Sequence, residues 1–234
     1  MSVNSYLRSL EKIKYLTNIA KLNFSKREEQ IVFIASQLAK YVNYDIEHND
    51  KSEEERIKLS SLQNCLDGRN TVCAGVAFAF ERCMTELGIE NTLVLGYSRN
   101  GNDNNNISKL TSNHVWNKVR INNNWYNIDV TNILNNLYSN ENSKEKRIKT
   151  FILSSDKTLK NIGNIITDAC NIPSSEGNFP YILELFNKVT ISNNILEEFD
   201  NKKRSTFLKY NIHNNFTFPN KTDKTPEINI EKEQ

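Results

Sequence analysis

Hydrophobic residues recur at helical spacing through the first part of the chain. Ser25 and Glu28 form a capping-box pair ahead of the apolar positions Ile31, Ile34, Ala35, Leu38 and Val42. Ser52 and Glu55 repeat the signal ahead of Ile57, Leu59 and Leu62. The pattern therefore predicts two helices, one beginning near each of these pairs.

A third helix is predicted over Cys73–Leu87. Its apolar face carries Val76, Ala77, Phe80, Met84 and Leu87. Gly88 follows directly, and glycine is the residue that most easily adopts the left-handed conformation that ends a helix. We expect the helix to stop there.

After Gly88 the period of the pattern changes from helix to strand. Strands are predicted at Thr92–Tyr97, His114–Ile121, Asn124–Val130 and Lys149–Leu153. The polar stretch Arg99–Ser108 predicts a loop. Helices are predicted again at Tyr181–Val189 and Ile195–Phe207, and the polar chain from about Asn214 predicts a loose tail.

Helices followed by an antiparallel sheet are typical of a single α+β domain. We expect residues 1–24 to form an N-terminal helical extension and residues 25–160 the core. Residues 161–213 then form a helical or mixed extension of the same domain, and residues 214–234 form the tail. The 38% hydrophobic and 9% aromatic residues are enough to build a buried core.

Charge and cysteine content exclude several functional classes. The formal net charge is only +2, which gives no reason to expect binding to nucleic acid or to a membrane. None of the four cysteines forms a CxxC pair, so neither a metal site nor a disulfide framework is predicted. No cofactor is expected, and nothing in the sequence indicates the oligomeric state.

Free thiols favour a reducing compartment. The segment MSVNSYLRSLEKIKY lacks the apolar core of a signal peptide. We therefore expect a cytoplasmic protein, or a secreted one if a leader precedes this sequence.

The stretch from Thr111 to Asn132 predicts a hairpin that carries unusual residues. Asn122 and Asn123 suit a two-residue turn because asparagine tolerates positive φ. That turn pairs Trp116 with Asp129, which makes Asp129 the diagonal neighbour of His114 on one face. An aspartate beside a histidine fixes the imidazole tautomer and stabilises the imidazolium. Taken alone, such a pair can also be a satisfied histidine on a sheet surface.

Cys73 stands at the beginning of the third predicted helix. A thiol there feels the positive end of the helix dipole, which lowers its pKa and favours the reactive thiolate. Ala74 and Gly75 are small, and we expect them to leave room above the thiol. Cys83 lies in mid-helix and is predicted to pack in the core, as are Cys65 and Cys170.

Two separated motifs resemble the transglutaminase-like superfamily of papain-type thiol enzymes. They are VCAGVAFAFERCMTELGI and HVWNKVRINNNWYNIDVTN, flanked by SSLQNCLDGRN upstream and IKTFILSSD downstream. The resemblance covers roughly residues 30–160 and implies a papain/transglutaminase-like core. Asn123 and Val76 depart from it, since the family often has glycine and an aromatic residue there.

The resemblance implies a role for each matched residue. Cys73 is the nucleophile, His114 the general base and then acid, and Asp129 the orienting carboxylate. Trp116 and Trp125 wall the site. The backbone N–H of Cys73 stabilises the oxyanion, together with a side chain for which Gln63 is the first candidate and Tyr44 the second.

The implied activity is cleavage or transfer of an amide in a protein or peptide through a cysteine thioester. Water resolving the thioester gives peptidase or deamidase activity, whereas a lysine amine gives a transglutaminase isopeptide bond. The same triad serves both reactions, and a single compact domain favours hydrolysis. A peptide-binding module that keeps the fold without turnover is the alternative outside enzymes.

Overall fold

The computed structural model describes residues 3–97, 113–134, 141–166, 172–190 and 193–202. By its internal contacts the chain divides into a unit of Met1–Glu198 and a unit of Phe199–Gln234. Residues 199–202 of the second unit are helical. The elements that carry the candidate site all belong to the first unit.

Helices make up more than half of the described residues of the first unit. They are α1 (Val3–Asn23), α2 (Arg27–Tyr41), α3 (Glu53–Leu59), α4 (Leu62–Leu66), α5 (Cys73–Leu87), α6 (Val130–Leu134), α7 (Glu141–Phe151), α8 (Asp156–Asn161) and α9 (Ile182–Val189). Residues 195–198 are also helical. Within the described residues, no helix is long and apolar enough to cross a membrane.

Two sheets accompany these helices in the described part of the chain. A short parallel pair joins β1 (Asn43–Tyr44) to β2 (Asn70–Thr71). The larger sheet is antiparallel, with the order β6-β5-β4-β3-β7, and consists of β3 (Asn91–Tyr97), β4 (His114–Ile121), β5 (Asn124–Ile128), β6 (Ile152–Ser154) and β7 (Ile165–Ile166). The predicted α+β class, with a helical N-terminal part packed on an antiparallel sheet, is confirmed.

Helix α5 lies at the centre of the core. It packs against α1, α2 and α4 and also against β3 and β4. Its buried side chains include Val76, Phe80, Cys83 and Met84. Full burial of one such side chain contributes about 1.5–3 kcal/mol, so this helix is a main source of stability. Both predicted ends are confirmed, with Gly88 at φ 67° closing the helix.

Helix α1 is part of the same core. Ile13, Leu16 and Ala20 are buried, and the helix packs against α5. Helix α1 therefore contributes to the same core as α5.

The helix starts were predicted with mixed success. The Ser52–Glu55 capping box is confirmed, since Glu55 accepts the Ser52 N–H at 3.0 Å and the Glu55 N–H reaches Ser52 Oγ at 3.4 Å. The Ser25–Glu28 box was wrong by one residue, because Lys26 precedes the first turn and its N–H donates to Glu29 at 3.4 Å.

The strand predicted at Lys149–Leu153 is wrong for most of its length. Helix α7 continues through Phe151, and strand β6 begins only at Ile152. Ile148 and Phe151 are buried three residues apart, a spacing that puts both side chains on one face of a helix but on opposite faces of a strand. Leu153, at φ 50°, forms a β-bulge, because it lies between the two residues of β6 that pair with Asn127 and Ile128.

Three predicted segments fall wholly or partly beyond the described residues. The loop at Arg99–Ser108 and the tail from Asn214 lie outside them, and so does the predicted helix Ile195–Phe207 after residue 202.

Gly75 allows a close approach at the start of α5. A Cβ atom there would lie 2.1 Å from Thr71 Oγ1. It would also lie 3.0 Å from the carbonyl oxygen of Leu59 and 3.1 Å from that of Ser61, which is about as close as contact permits. The prediction that Gly75 leaves room above the thiol is therefore wrong. Its missing side chain is needed for packing between α5 and the α3–α4 turn.

Gly75→Ala should lower the free energy of unfolding by about 1–3 kcal/mol, because the added methyl group overfills this contact. Denaturant unfolding measures the loss. Gly177→Ala is the matched control, since a Cβ atom there would meet nothing within 4 Å. Equal stability of the two variants would contradict the packing role of Gly75.

Candidate active site

Cys73 is the first residue of α5. Val72 before it is extended, at φ −120° and ψ 179°, so the chain changes from strand-like to helical directly ahead of the thiol. Cys73 is a free thiol and only half-buried, whereas Cys65 and Cys83 are buried. Among the described cysteines, Cys73 is thus the one that solvent reaches.

The hairpin brings His114 and Asp129 together. Asn122 and Asn123 adopt φ values of 48° and 70°, and the ladder pairs Arg120 with Trp125 as predicted. His114 Nε2 lies 2.7 Å from Asp129 Oδ2, and the two residues are only 7% and 1% exposed. The predicted diagonal contact is confirmed as a short hydrogen bond between buried groups.

The Asp129 carboxylate is held by α6. Asp129 precedes this helix as its cap, and its Oδ1 accepts the backbone N–H of Asn132 at 3.1 Å. The Asn132 side chain donates to Oδ2 at 2.7 Å, and its nitrogen lies 3.4 Å from His114 Nε2. The Asp129 N–H donates to the carbonyl of Phe151 at 2.8 Å.

Asn132 was missed by the sequence analysis. The available signal was the spacing of an aspartate and an asparagine three residues apart, which is the spacing of a helix cap and its third residue. Both oxygens of Asp129 are now accounted for, so the carboxylate has little freedom to turn away from His114.

Cys73 interacts with the imidazole of His114. Because Nε2 is directed at Asp129, the other ring nitrogen, Nδ1, is left for the thiol. Partial burial raises the pKa of Cys73, but the His114 side chain and the backbone N–H of Val115 outweigh burial and hold that pKa below its ordinary value. The geometry therefore favours a thiolate paired with an imidazolium.

The pKa of His114 is raised for the complementary reason. Burial alone would lower it, yet the charge and hydrogen bond of Asp129, with the Cys73 thiol, more than compensate. The pKa of Asp129 is lowered despite its burial, because His114 and Asn132 stabilise the carboxylate. Each of the three groups thus supports the charged form of its neighbour.

Tyr44 lies beside Cys73 because β1 pairs with β2. The ladder sets Tyr44 opposite Thr71, two residues before Cys73. Burial, the Cys73 sulfur and the charge of Asp129 raise the pKa of Tyr44 to about 12, although the backbone N–H of Cys73 acts in the opposite sense. The phenol therefore stays protonated and interacts with both the N–H and the thiol of Cys73.

The segment after Tyr44 is anchored to the same region. The Asp45 N–H donates to the carbonyl of Thr71 at 2.9 Å, and its carboxylate pairs with Lys51 at 3.1 Å. The His48 ring meets the Tyr44 ring edge-on at 6.0 Å. These contacts hold Tyr44 against the start of α5.

Trp116 lies against His114, as expected for a residue that walls the site. The two rings stack with centroids 5.6 Å apart and an angle of 26° between their planes. Trp116 is 1% exposed, and its Nε1–H donates to Asn127 Oδ1 at 2.9 Å. The indole therefore shields one side of the imidazole.

Trp125 does not wall the site. It pairs with Arg120 near the turn of the hairpin, six residues along β4 from His114. At about 3.3 Å per residue this separation is about 20 Å. Trp125 instead offers its carbonyl to the Ser175 N–H at 2.8 Å.

Gln63 lies on α4 and is half-buried. Within the described residues, no hydrogen bond connects its side chain to Cys73 or His114. Of the two side chains predicted to stabilise an oxyanion, the structure thus brings Tyr44, the second choice, to the thiol.

The other cysteines have no comparable surroundings. Burial raises the pKa of Cys65 well above its ordinary value and raises that of Cys83 to about 12. Both pack in the core as predicted. Cys170 lies outside the described residues.

Comparison with known protein families gives a match to part of this chain. The family model of the transglutaminase-like superfamily matches residues 15–130. Residues 15–130 belong to the transglutaminase-like superfamily. The matched region begins within α1, earlier than the resemblance at residues 30–160, and it contains Cys73, His114 and Asp129.

A solved structure described as a crystal structure of a TGase is similar to this chain at 17% sequence identity and a TM-score of 0.45. The similarity covers 56% of this chain and 33% of the other, so the chain spans about a third of that structure. No curated protein matches the chain.

The transglutaminase-like site predicts selective alkylation of Cys73. Iodoacetamide should label Cys73 at mildly acid pH, because its pKa is lowered, while Cys65 and Cys83 stay unlabelled in the folded protein. Peptide-level mass spectrometry in a Cys170→Ser background measures each site. In His114→Ala the labelling of Cys73 should move to higher pH, since the group that lowers its pKa is gone. Parallel labelling of all three thiols would contradict the arrangement.

Proposed function

We propose that the protein cleaves or transfers amide bonds of a protein or peptide substrate with Cys73, His114 and Asp129 as a catalytic triad. The observation that carries this proposal is the continuous contact from the half-buried thiol through the imidazole to the buried carboxylate, with a bond of 2.7 Å at its inner end. A histidine that merely had its hydrogen bonds satisfied on the sheet surface would require neither a contact with the Cys73 thiol nor a lowered pKa of that thiol.

In the first step the Cys73 thiolate attacks the amide carbonyl carbon. The developing oxyanion accepts the backbone N–H of Cys73, which has no acceptor within the helix because Cys73 is the first residue of α5. His114 gives its proton to the leaving amine, and the acyl group remains on the sulfur as a thioester. Asp129 keeps the imidazole oriented throughout and stabilises its charged form.

The phenol of Tyr44 is proposed as the second oxyanion donor. In the free protein its oxygen interacts with the Cys73 N–H, which is the group that the substrate oxygen would use. When that oxygen arrives, rotation of the hydroxyl lets Tyr44 donate instead of accept. Its pKa of about 12 keeps the donor proton in place at neutral pH.

The thioester can be resolved by water or by an amine. Hydrolysis gives peptidase or deamidase activity, and attack by a lysine amine gives an isopeptide bond. The triad supports both, and we favour hydrolysis because the matched region forms one compact unit with its flanking helices.

The direct test is mass spectrometry of a peptide mixture incubated with the protein and a primary amine. Peptide cleavage, a deamidation shift or incorporation of the amine identifies the reaction, and Cys73→Ala should abolish whichever product appears. Its melting temperature should stay near that of the wild type, since a half-buried thiol adds little packing. Product formation by Cys73→Ala would rule out the thiol as nucleophile, and the absence of any product from a labelled, folded wild type would favour a peptide-binding module.

Tyr44→Phe removes only the hydroxyl. It should lower kcat by about a hundredfold, which is the usual effect of losing one oxyanion donor. Gln63→Ala is the matched control, and its kcat should stay near that of the wild type. Single-turnover kinetics on the substrate found above measure both. The reverse ranking of the two variants would return the role to Gln63.

A further inference from the structure

A buried polar chain begins at the indole that covers His114. Its first link is the bond of 2.9 Å from Trp116 Nε1–H to Asn127 Oδ1. Asn127 is fully buried and lies on β5, the strand that leads to Asp129. This series of hydrogen bonds therefore joins Trp116, which walls the site, to the interior of the sheet.

The orientation of the Asn127 amide is determined by its other partners. Its Nδ2 donates to the Ser154 carbonyl at 3.2 Å and to Asp156 Oδ1 at 2.7 Å. A flipped amide would direct its oxygen at two acceptors and its NH2 group at the N–H of Trp116. Only one orientation satisfies every group, and it points Oδ1 at the indole.

Asp156 is itself held in place. Lys118 Nζ donates to it at 3.0 Å, and the backbone N–H of Ser174 donates at 3.0 Å. Lys118 also donates to the carbonyl of Ile172 and is 1% exposed. Burial raises the pKa of Asp156, but the bonds from Asn127 and Lys118 outweigh it and keep the group an acceptor.

These residues share the strand face that carries the imidazole. Lys118 and Asn127 are direct partners in the β4–β5 ladder. His114, Trp116 and Lys118 alternate along β4, so their side chains lie on one face. The polar chain thus runs along β4 from Lys118 towards His114.

We infer that Asn127 is a positioning residue for His114 that acts through the indole of Trp116. This inference rests on the proposed triad. The stacked indole restricts rotation of the imidazole, which must keep one nitrogen on Asp129 and the other towards Cys73. The bond to Asn127 in turn restricts rotation of the indole.

Three variants test the inference: Trp116→Phe, Asn127→Leu and the double variant. Trp116→Phe keeps a ring over His114 and removes the N–H, whereas Asn127→Leu removes the acceptor at similar volume. The readouts are the pH dependence of Cys73 alkylation and, where a substrate has been found, kcat and KM. Alkylation reports the thiol–imidazole contact without turnover.

Both single variants should shift the alkylation curve of Cys73 to higher pH, because a less well placed imidazolium supports the thiolate less. They should lower kcat by up to about a hundredfold with little change in KM, since a displacement of about 1 Å at the reacting groups has that effect. The double variant should be no worse than the more affected single one, because all three break the same link.

Gln37→Leu is the matched control. Gln37 is a buried amide on α2 whose Oε1 accepts the Ile195 N–H at 2.8 Å, so the variant loses a buried hydrogen bond in which no residue of the site takes part. Its alkylation curve should match that of the wild type, even if its melting temperature falls as far as that of Asn127→Leu.

The possible failures are distinct. If Trp116→Phe and Asn127→Leu unfold cooperatively but alkylate Cys73 as the wild type does, or if their effects on kcat add in the double variant, the positioning role is overturned and the triad stands. If the wild-type Cys73 is not preferentially alkylated, the triad fails and the inference with it. Should Asn127→Leu not fold, Trp116→Phe decides alone, because it removes the N–H while it keeps an aromatic ring.

Discussion

The hydrogen bond between His114 and Asp129 depends on the register of a single hairpin. Side chains alternate between the two faces of a strand, so a slip of one residue would move one partner to the opposite face. The two-residue turn at Asn122 and Asn123 sets this register. The extra residue in β6 then lets the carbonyl of Phe151 accept the Asp129 N–H, which secures the strand end on its other side.

Burial gives this bond its energetic importance. A carboxylate removed from water is costly unless other groups compensate it, and Asp129 receives the imidazole and two donors from Asn132. The same scarcity of water strengthens the effect of each charge on its neighbours. The shifted pKa values of Cys73 and His114 follow from this arrangement, and so does the preference for a charged thiol–imidazole pair.

The site also requires that the helical layer and the sheet meet in one relative position. Cys73 belongs to α5, which the core fixes through its buried face and through the close contact at Gly75. Tyr44 comes from an earlier segment and reaches the thiol only because two short strands pair in parallel. The candidate site is thus assembled from separate parts of the chain, and each part is held by contacts outside the site.

The sequence by itself determined the features that depend on neighbouring residues. The bounds of α5, its end at Gly88, the Asn122–Asn123 turn and the diagonal placement of His114 and Asp129 follow from local spacing and backbone preference. The motifs that resemble the superfamily also identify Cys73, because the residues of each motif are contiguous in the sequence.

Only the tertiary structure decided which distant groups meet. The fold places Tyr44, and not Gln63, beside the thiol, and it places Trp125 away from the site. It also contributes Asn132 and the hydrogen-bonded residues from Asn127 to Lys118. The fold also makes Lys149–Phe151 helical, which puts the buried side chains of Ile148 and Phe151 on one face of α7. Contacts between residues far apart in sequence leave no fixed spacing, since the packing that creates them is a property of the whole fold.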